Sequence, residues 1–146
     1  MTIALASDHA GFPLKIEIKE YIQSSGFDVL DYGPETEERV DYPDYGSKVA
    51  SAVSRGTYEK GILICGSGLG MSMVANRFSH VRAALCHNVE MARLARQHND
   101  SNILVLGGRF LEPEEAFEIL DTWLATDFEG GRHTLRLQKL DSLTGI

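Results

Sequence analysis

The chain has 146 residues, is 43% apolar and 24% charged, and carries a formal net charge of −7. That size suits a single domain over residues 1–146 with a full core, and the acidic balance argues against nucleic acid or an anionic membrane as partner. A small phosphorylated ligand remains compatible, because it needs only a few local cations such as Arg132, Arg136 and Lys139.

No apolar run approaches the roughly 20 residues needed to cross a bilayer. The N-terminus begins strand-like rather than as a basic and then apolar leader, so no secretory signal is expected and a cytoplasmic location follows. Cys65 and Cys86 both end buried-looking strands and are expected to be reduced thiols.

Strand and helix signals alternate along the chain. Residues 3–6 read as a short apolar strand. Pro13 suits the first turn of a helix whose Leu14, Ile18, Tyr21 and Ile22 share one face, and Gly26 stops it. Residues 27–31 make the next strand. Asp41 can cap a helix with Pro43 early in it, Tyr45, Val49 and Val53 as its buried stripe, and Gly56 at its end. A strand over 62–65 runs into a glycine loop and a helix over about 69–78.

The spacing then predicts a fourth strand over 81–86 and a helix capped by Asn88 that continues to about His98. A fifth strand covers 103–106, and Pro113 opens a helix that buries Phe117, Leu120 and Leu124. Residues 132–143 have helical spacing after Gly130-Gly131, so this last helix is expected to stand away from the body. Such alternation means an α/β fold: a five-stranded parallel sheet between two helical layers. Ligands of such sheets sit beyond the C-terminal strand ends, where Asp8-His9, residues 65–70 and residues 107–109 can all gather.

The densest chemical signal is Cys65-Gly66-Ser67-Gly68-Leu69-Gly70. A buried strand delivers a thiol to a loop with glycine at alternate positions, and a helix starts behind it. Amides in such a loop can approach an anion, and the same surroundings favour a thiolate. Two readings of Cys65 stay open on the residues alone: a small core hydrophobe, or a reactive group. Cys86 has no such loop and reads as core.

Met71 removes the likeliest lookalikes of the loop. A dinucleotide fingerprint wants glycine there, a cysteine-dependent phosphatase wants arginine, and the Lys-Ser/Thr pair of a P-loop is missing. Asp8 can be read as a helix cap, His98-Asn99 as a solvated helix end, and Arg132 with Arg136 as a basic surface. His80, His87 and His133 show no ligand spacing, and no metal cluster is expected.

Taken together the chain resembles the family of type B ribose-5-phosphate isomerases and their galactose-6-phosphate relatives. The residues that carry the resemblance are Ser7-Asp8-His9-Ala10-Gly11, Asp41-Tyr42-Pro43, residues 61–70, Ala75-Asn76 and Arg96-Gln97-His98-Asn99-Asp100. Gly108-Arg109, Glu129-Gly130-Gly131-Arg132-His133 and Arg136 complete them.

The resemblance implies a cofactor-free aldose–ketose isomerase on a Rossmann-like three-layer fold. It implies Cys65 as general base, His98 as the ring-opening group and Ser67 as an aid to proton movement. Asp8, His9 and Tyr42 would meet the sugar, and Gly66, Ser67, Gly68, Leu69, Gly70 and Asn99 the enediolate oxygens. Arg109, Arg132 and Arg136 would meet the phosphate, with His9. A homodimer with shared sites is also implied, the C-terminal helix reaching the partner, and a tetramer is left open. One branch of the family replaces the cysteine by a glutamate at the position equivalent to 71; Cys65 and Met71 put this chain in the other. Pentose phosphate is the expected substrate, with a hexose 6-phosphate, or a non-catalytic sugar-phosphate sensor, as alternatives.

Overall fold

The computed structural model describes residues 1–143. Five strands, β1 (Thr2–Ser7), β2 (Asp28–Asp31), β3 (Lys60–Cys65), β4 (Ala83–Leu85) and β5 (Ile103–Gly107), form one parallel sheet in the order β2-β1-β3-β5-β4. The connections are α1 (Phe12–Ser24), α2 (Tyr42–Ser54), α3 (Leu69–Ala75) and α4 (Val89–Gln97), followed by α5 (Pro113–Ala125) and α6 (Arg132–Asp141).

The sheet is covered on both faces, as a parallel sheet must be. Side chains alternate across it. Ile3, Leu5, Ile62, Ile64, Leu104 and Leu106 pack with residues of α1, α4 and α5. Ala4, Ala6, Leu63, Cys65, Ile103 and Val105 pack with those of α2 and α3. Cys65 therefore ends its strand on the α2/α3 side, in register with Gly107 of β5.

Because β1 and β3 are neighbours whose following helices go to opposite faces, a crevice opens between their C-terminal ends. The two loops meet there in van der Waals contact. A Cβ on Gly11 would lie 2.5 Å from the Ile64 carbonyl oxygen, so only glycine lets the β1–α1 loop close onto β3.

Several expected boundaries move. The third helix stops at Ala75, where the Asn76 side chain ties the last turn of the helix to the start of β4. Its Nδ2 donates to Ser72 and Ala83 carbonyls at 3.1 and 3.0 Å, and its Oδ1 accepts from Ala83 N at 2.9 Å. The fourth strand shrinks to three residues because Arg82 is diverted to Asn102, whose Oδ1 accepts from Arg82 N at 2.8 Å. Asp41 does occupy the N-cap of α2 but makes no side-chain capping bond, whereas Asn88 Oδ1 accepts from Met91 N as expected.

In α5 Leu120 is fully buried as expected, together with Ala116, Ile119 and Trp123, whose Nε1 donates to Ser101 Oγ at 2.8 Å, while Phe117 and Leu124 are only half-buried. Helix α6 buries only His133 and Leu137 and leaves Leu135 and Leu140 exposed, in keeping with a segment standing off the body. Among the described residues no helix is long and apolar enough to cross a membrane.

Candidate active site

Cys65 is 4% exposed and free of any disulfide. Behind it Gly68 adopts φ +82°, a left-handed turn that sends the chain from the end of β3 into α3. A Cβ on Gly107 would sit 2.7 Å from Ser67 O, so β5 presses its glycine end directly against this loop. Leu69 N–H donates to Ser67 Oγ at 3.2 Å and Ser72 N–H to the Gly68 carbonyl at 3.0 Å. The amides of Gly66, Ser67, Gly68 and Gly70 have no acceptor among the described residues, which leaves a set of donors beside the thiol.

The neighbouring loops supply the rest of this edge. Asp8 is buried; its N–H donates to the Ile64 carbonyl at 3.1 Å and its Oδ1 accepts from Gly11 N at 2.8 Å. Asp8 is not the helix cap: Gly11 is the N-cap of α1 and has no side-chain capping bond, so Asp8 braces the loop one step before the helix while its Oδ2 has no partner among the described residues. His9 Nδ1 lies 3.2 Å from both Val40 N and Val40 O, so the loop before α2 can hold the ring in either tautomer. The Arg109 guanidinium lies over Gly66, with Nη1 3.2 Å from where a Cβ would be. The Tyr42 ring covers Gly70 at 2.8 Å by the same measure. Met71 is fully buried against Gly46, so position 71 is core here and cannot carry the base.

The remaining candidates are elsewhere. His98 caps the C-terminus of α4, which leads into the beginning of β5, and the β5 residue level with Cys65 is at its end. The rise of parallel strand from Ile103 to Gly107 is about 13 Å, and His98 stands at the edge where that strand begins. Arg132 and Arg136 belong to the same far edge: Glu129 N donates to the Gln97 carbonyl at 3.0 Å, and the His133 ring stacks on His98 at 4.3 Å and 16°. One chain therefore holds Asp8, His9, Tyr42, Cys65, the 66–70 loop and Arg109 on one edge, and His98, Asn99, Arg132 and Arg136 on the other. A concavity of about 730 Å³ on this far edge includes Asn76, Arg82, Asn99 and Asp141 but not Cys65.

His133 shows no ligand spacing in the sequence, yet it is buried with Nε2 lacking a hydrogen-bond partner. Its place one turn after Glu129 and beside Arg132 was the available signal. Burial lowers its pKa, helped by Arg132, His98 and Arg136 and opposed by Glu129. His98, Glu129 and His133 bring donor atoms within 4.8 Å of one another. Near-parallel stacked imidazoles do not aim their lone pairs at a common point, and the neighbouring arginines repel a cation. The surroundings suit an anion better than a metal. Cys86 has its thiol pKa pushed up to about 12 by burial and is inert core, as expected.

Fold and crevice together define a doubly wound α/β protein with a thiol and a cradle of amides at its topological switch point. The chain belongs to the Ribose/Galactose Isomerase family, whose model matches residues 3–140. It is 46% identical over 144 residues to ribose-5-phosphate isomerase B of Escherichia coli, covering 99% of this chain and 95% of that one. It is also similar to the crystal structure of a ribose 5-phosphate isomerase from Thermotoga maritima, with a TM-score of 0.95 and 53% identity over 97% and 98% of the two chains. The Mycoplasma genitalium ribose-5-phosphate isomerase B, solved with bound ribulose-5-phosphate, matches with a TM-score of 0.92 and 42% identity over 96% and 93%.

Proposed function

We propose that this chain interconverts ribose 5-phosphate and ribulose 5-phosphate, as a homodimer whose two sites each draw residues from both copies. The observation that carries the shared site is the separation of Cys65 from His98 on opposite edges of one sheet. A second copy that offers its His98 edge to the Cys65 edge completes the set. Exposed Leu69, Met73 and Phe110 near the first edge, and Leu135 and Leu140 near the second, provide apolar surface for that contact.

The chemistry then follows from the residues. His98 moves the proton that opens the sugar ring. The Cys65 thiolate removes the proton from C2 of the aldose, and the electrons pass to the C1 carbonyl oxygen to give an enediolate. Free amides of the 66–70 loop and Asn99 stabilise the charge on these oxygens. Ser67 passes a proton between O2 and O1 while the thiol returns the other to C1, leaving a ketone at C2. Asp8, His9 and Tyr42 hold the sugar. Arg109 with Arg132 and Arg136 of the second copy grips the phosphate, and that remote binding fixes C1 and C2 against the sulfur. No cofactor is required by any of these steps. A thiol base favours a reducing compartment, which supports a cytoplasmic enzyme.

The test is turnover of ribose 5-phosphate beside allose 6-phosphate and galactose 6-phosphate in deuterated water. Ribulose 5-phosphate carrying solvent deuterium at C1 is the expected product. Preference for a hexose phosphate would replace the substrate, and absence of any turnover would leave a sugar-phosphate sensor.

A further inference from the structure

Arg82 has no place in the chemistry above, yet its guanidinium is the most heavily used cation of the far edge. It precedes β4, and its side chain is only 15% exposed. Nε donates to the carbonyls of Asn99 and Asp100 at 2.9 and 3.2 Å. Nη1 donates to both carboxylate oxygens of Asp141 at 3.0 Å each, and Nη2 reaches the Asp100 carboxylate at 3.4 Å. The residues joined in this way are not arbitrary. Asn99 and Asp100 directly follow His98, and Asp141 is the last residue of α6, which carries Arg132 and Arg136.

Asp100 shows what the clamp opposes. Its φ is +44°, a left-handed conformation that side-chain-bearing residues hold only when their surroundings impose it. A second arginine, Arg96, shares the load: Nη1 donates to Asp100 Oδ1 at 2.8 Å and to the Ser101 carbonyl at 2.6 Å. Arg96 also donates Nε to the Thr126 carbonyl at 3.2 Å, just after α5, whereas among the described residues Arg82 is the side chain that hydrogen-bonds that loop to the end of α6. The His98–His133 stack joins the same two elements near the start of α6. A lysine cannot replace the Arg82 fork, because one ammonium cannot face two carbonyls and a bidentate carboxylate at once.

We propose that Arg82 is a positioning residue for the isomerisation. It touches no substrate, and it sets His98 and Asn99 at a fixed distance from Arg132 and Arg136. Ring opening and phosphate grip then arrive at the second copy's Cys65 as one preorganised unit. This inference rests on the function proposed above.

Arg82→Lys and Asp141→Asn in the full chain test it, first by amide hydrogen exchange, which needs no activity. Arg82→Lys is expected to speed exchange both at residues 98–102 and at the end of α6, and Asp141→Asn at the end of α6 alone. In steady-state kinetics on ribose 5-phosphate, Asp141→Asn should raise KM about fivefold with kcat within about twofold, and Arg82→Lys should also lower kcat about tenfold. A simple loss of folded protein lowers apparent kcat and leaves KM unmoved, so that pattern in both variants overturns the proposal. Unchanged exchange at residues 98–102 in Arg82→Lys overturns it too. If Arg82→Lys does not fold, Asp141→Asn decides, and an unmoved KM there is a refutation. An inactive wild-type chain would instead remove the function, and the exchange pattern would still judge the clamp.

Discussion

Cys65→Ala and His98→Asn are each expected to abolish isomerisation, but a mixture of the two proteins should recover activity. The magnitude follows from where the residues sit. In a mixed dimer one site pairs the altered Cys65 position with the altered His98 position and is dead twice over. The other pairs an intact Cys65 with an intact His98 and is wild type. Random exchange makes half of the dimers mixed, each with one good site of two, so specific activity should reach about a quarter of wild type. The assay is to mix the variants in equal amounts, allow subunits to exchange in mild denaturant, refold, and follow ribulose 5-phosphate. A site contained within one chain has no wild-type copy in any such mixture. Recovery below a few per cent, with exchange confirmed by mass-tagged chains, would refute the shared site.

Gly107→Ala places a methyl group 2.7 Å from the Ser67 carbonyl oxygen, and backbone cannot swing away as a side chain can. It should cost about 1–3 kcal/mol in denaturant unfolding and, by shifting the loop amides, lower kcat more than it raises KM; an unchanged kcat would contradict the role given to those amides. Lys15 is fully buried, with its ammonium on Asp31 at 3.0 Å and on the Pro34 carbonyl. Lys15→Ala should destabilise by about 3 kcal/mol, reduced from the full effect of a broken buried pair because Lys19 still reaches Asp31 at 3.3 Å; a loss under about 1 kcal/mol would mean the pair is idle.

His133 is held neutral in the fold, its pKa lying below the ordinary histidine value through burial and then Arg132. The unfolded chain therefore binds its proton first on acidification. Its contribution to stability is complete above the ordinary value of about 6.5 and is lost as pH falls through the lowered folded value. Urea midpoints of wild type and His133→Gln should converge as pH drops below this range, and parallel curves would count against it.

The sheet was legible because buried parallel strands write continuous apolar runs, and 62–65 and 103–106 are nearly pure cases. So was the crevice, since Asp8, Cys65 and Gly108 each follow a strand end. What stayed hidden depends on partners distant in sequence. Lys15 reads as a solvated lysine until Asp31 and Pro34 close over it. Trp123 wins the core over Phe117 and Leu124 because Ser101 waits for its N–H. Arg82 looks like any charge before a strand, since Asn99, Asp100 and Asp141 lie 17 to 59 positions away. The split of the candidate site was within reach: a helix that leads into a parallel strand ends at the edge opposite the loops, and His98 is such an end.

That placement has an evolutionary corollary. In the proposed dimer each half-site is built on its own loops and helices, so a change that ruins one need not disturb the folding or docking of the other. After a gene duplication, one copy can discard the thiol edge and its twin the histidine edge. Each would still fold, and neither would work without the other. A symmetric homodimer of this design therefore carries within it a short route to an obligate pair of unlike chains, with selection then acting on their recognition of each other rather than on the chemistry.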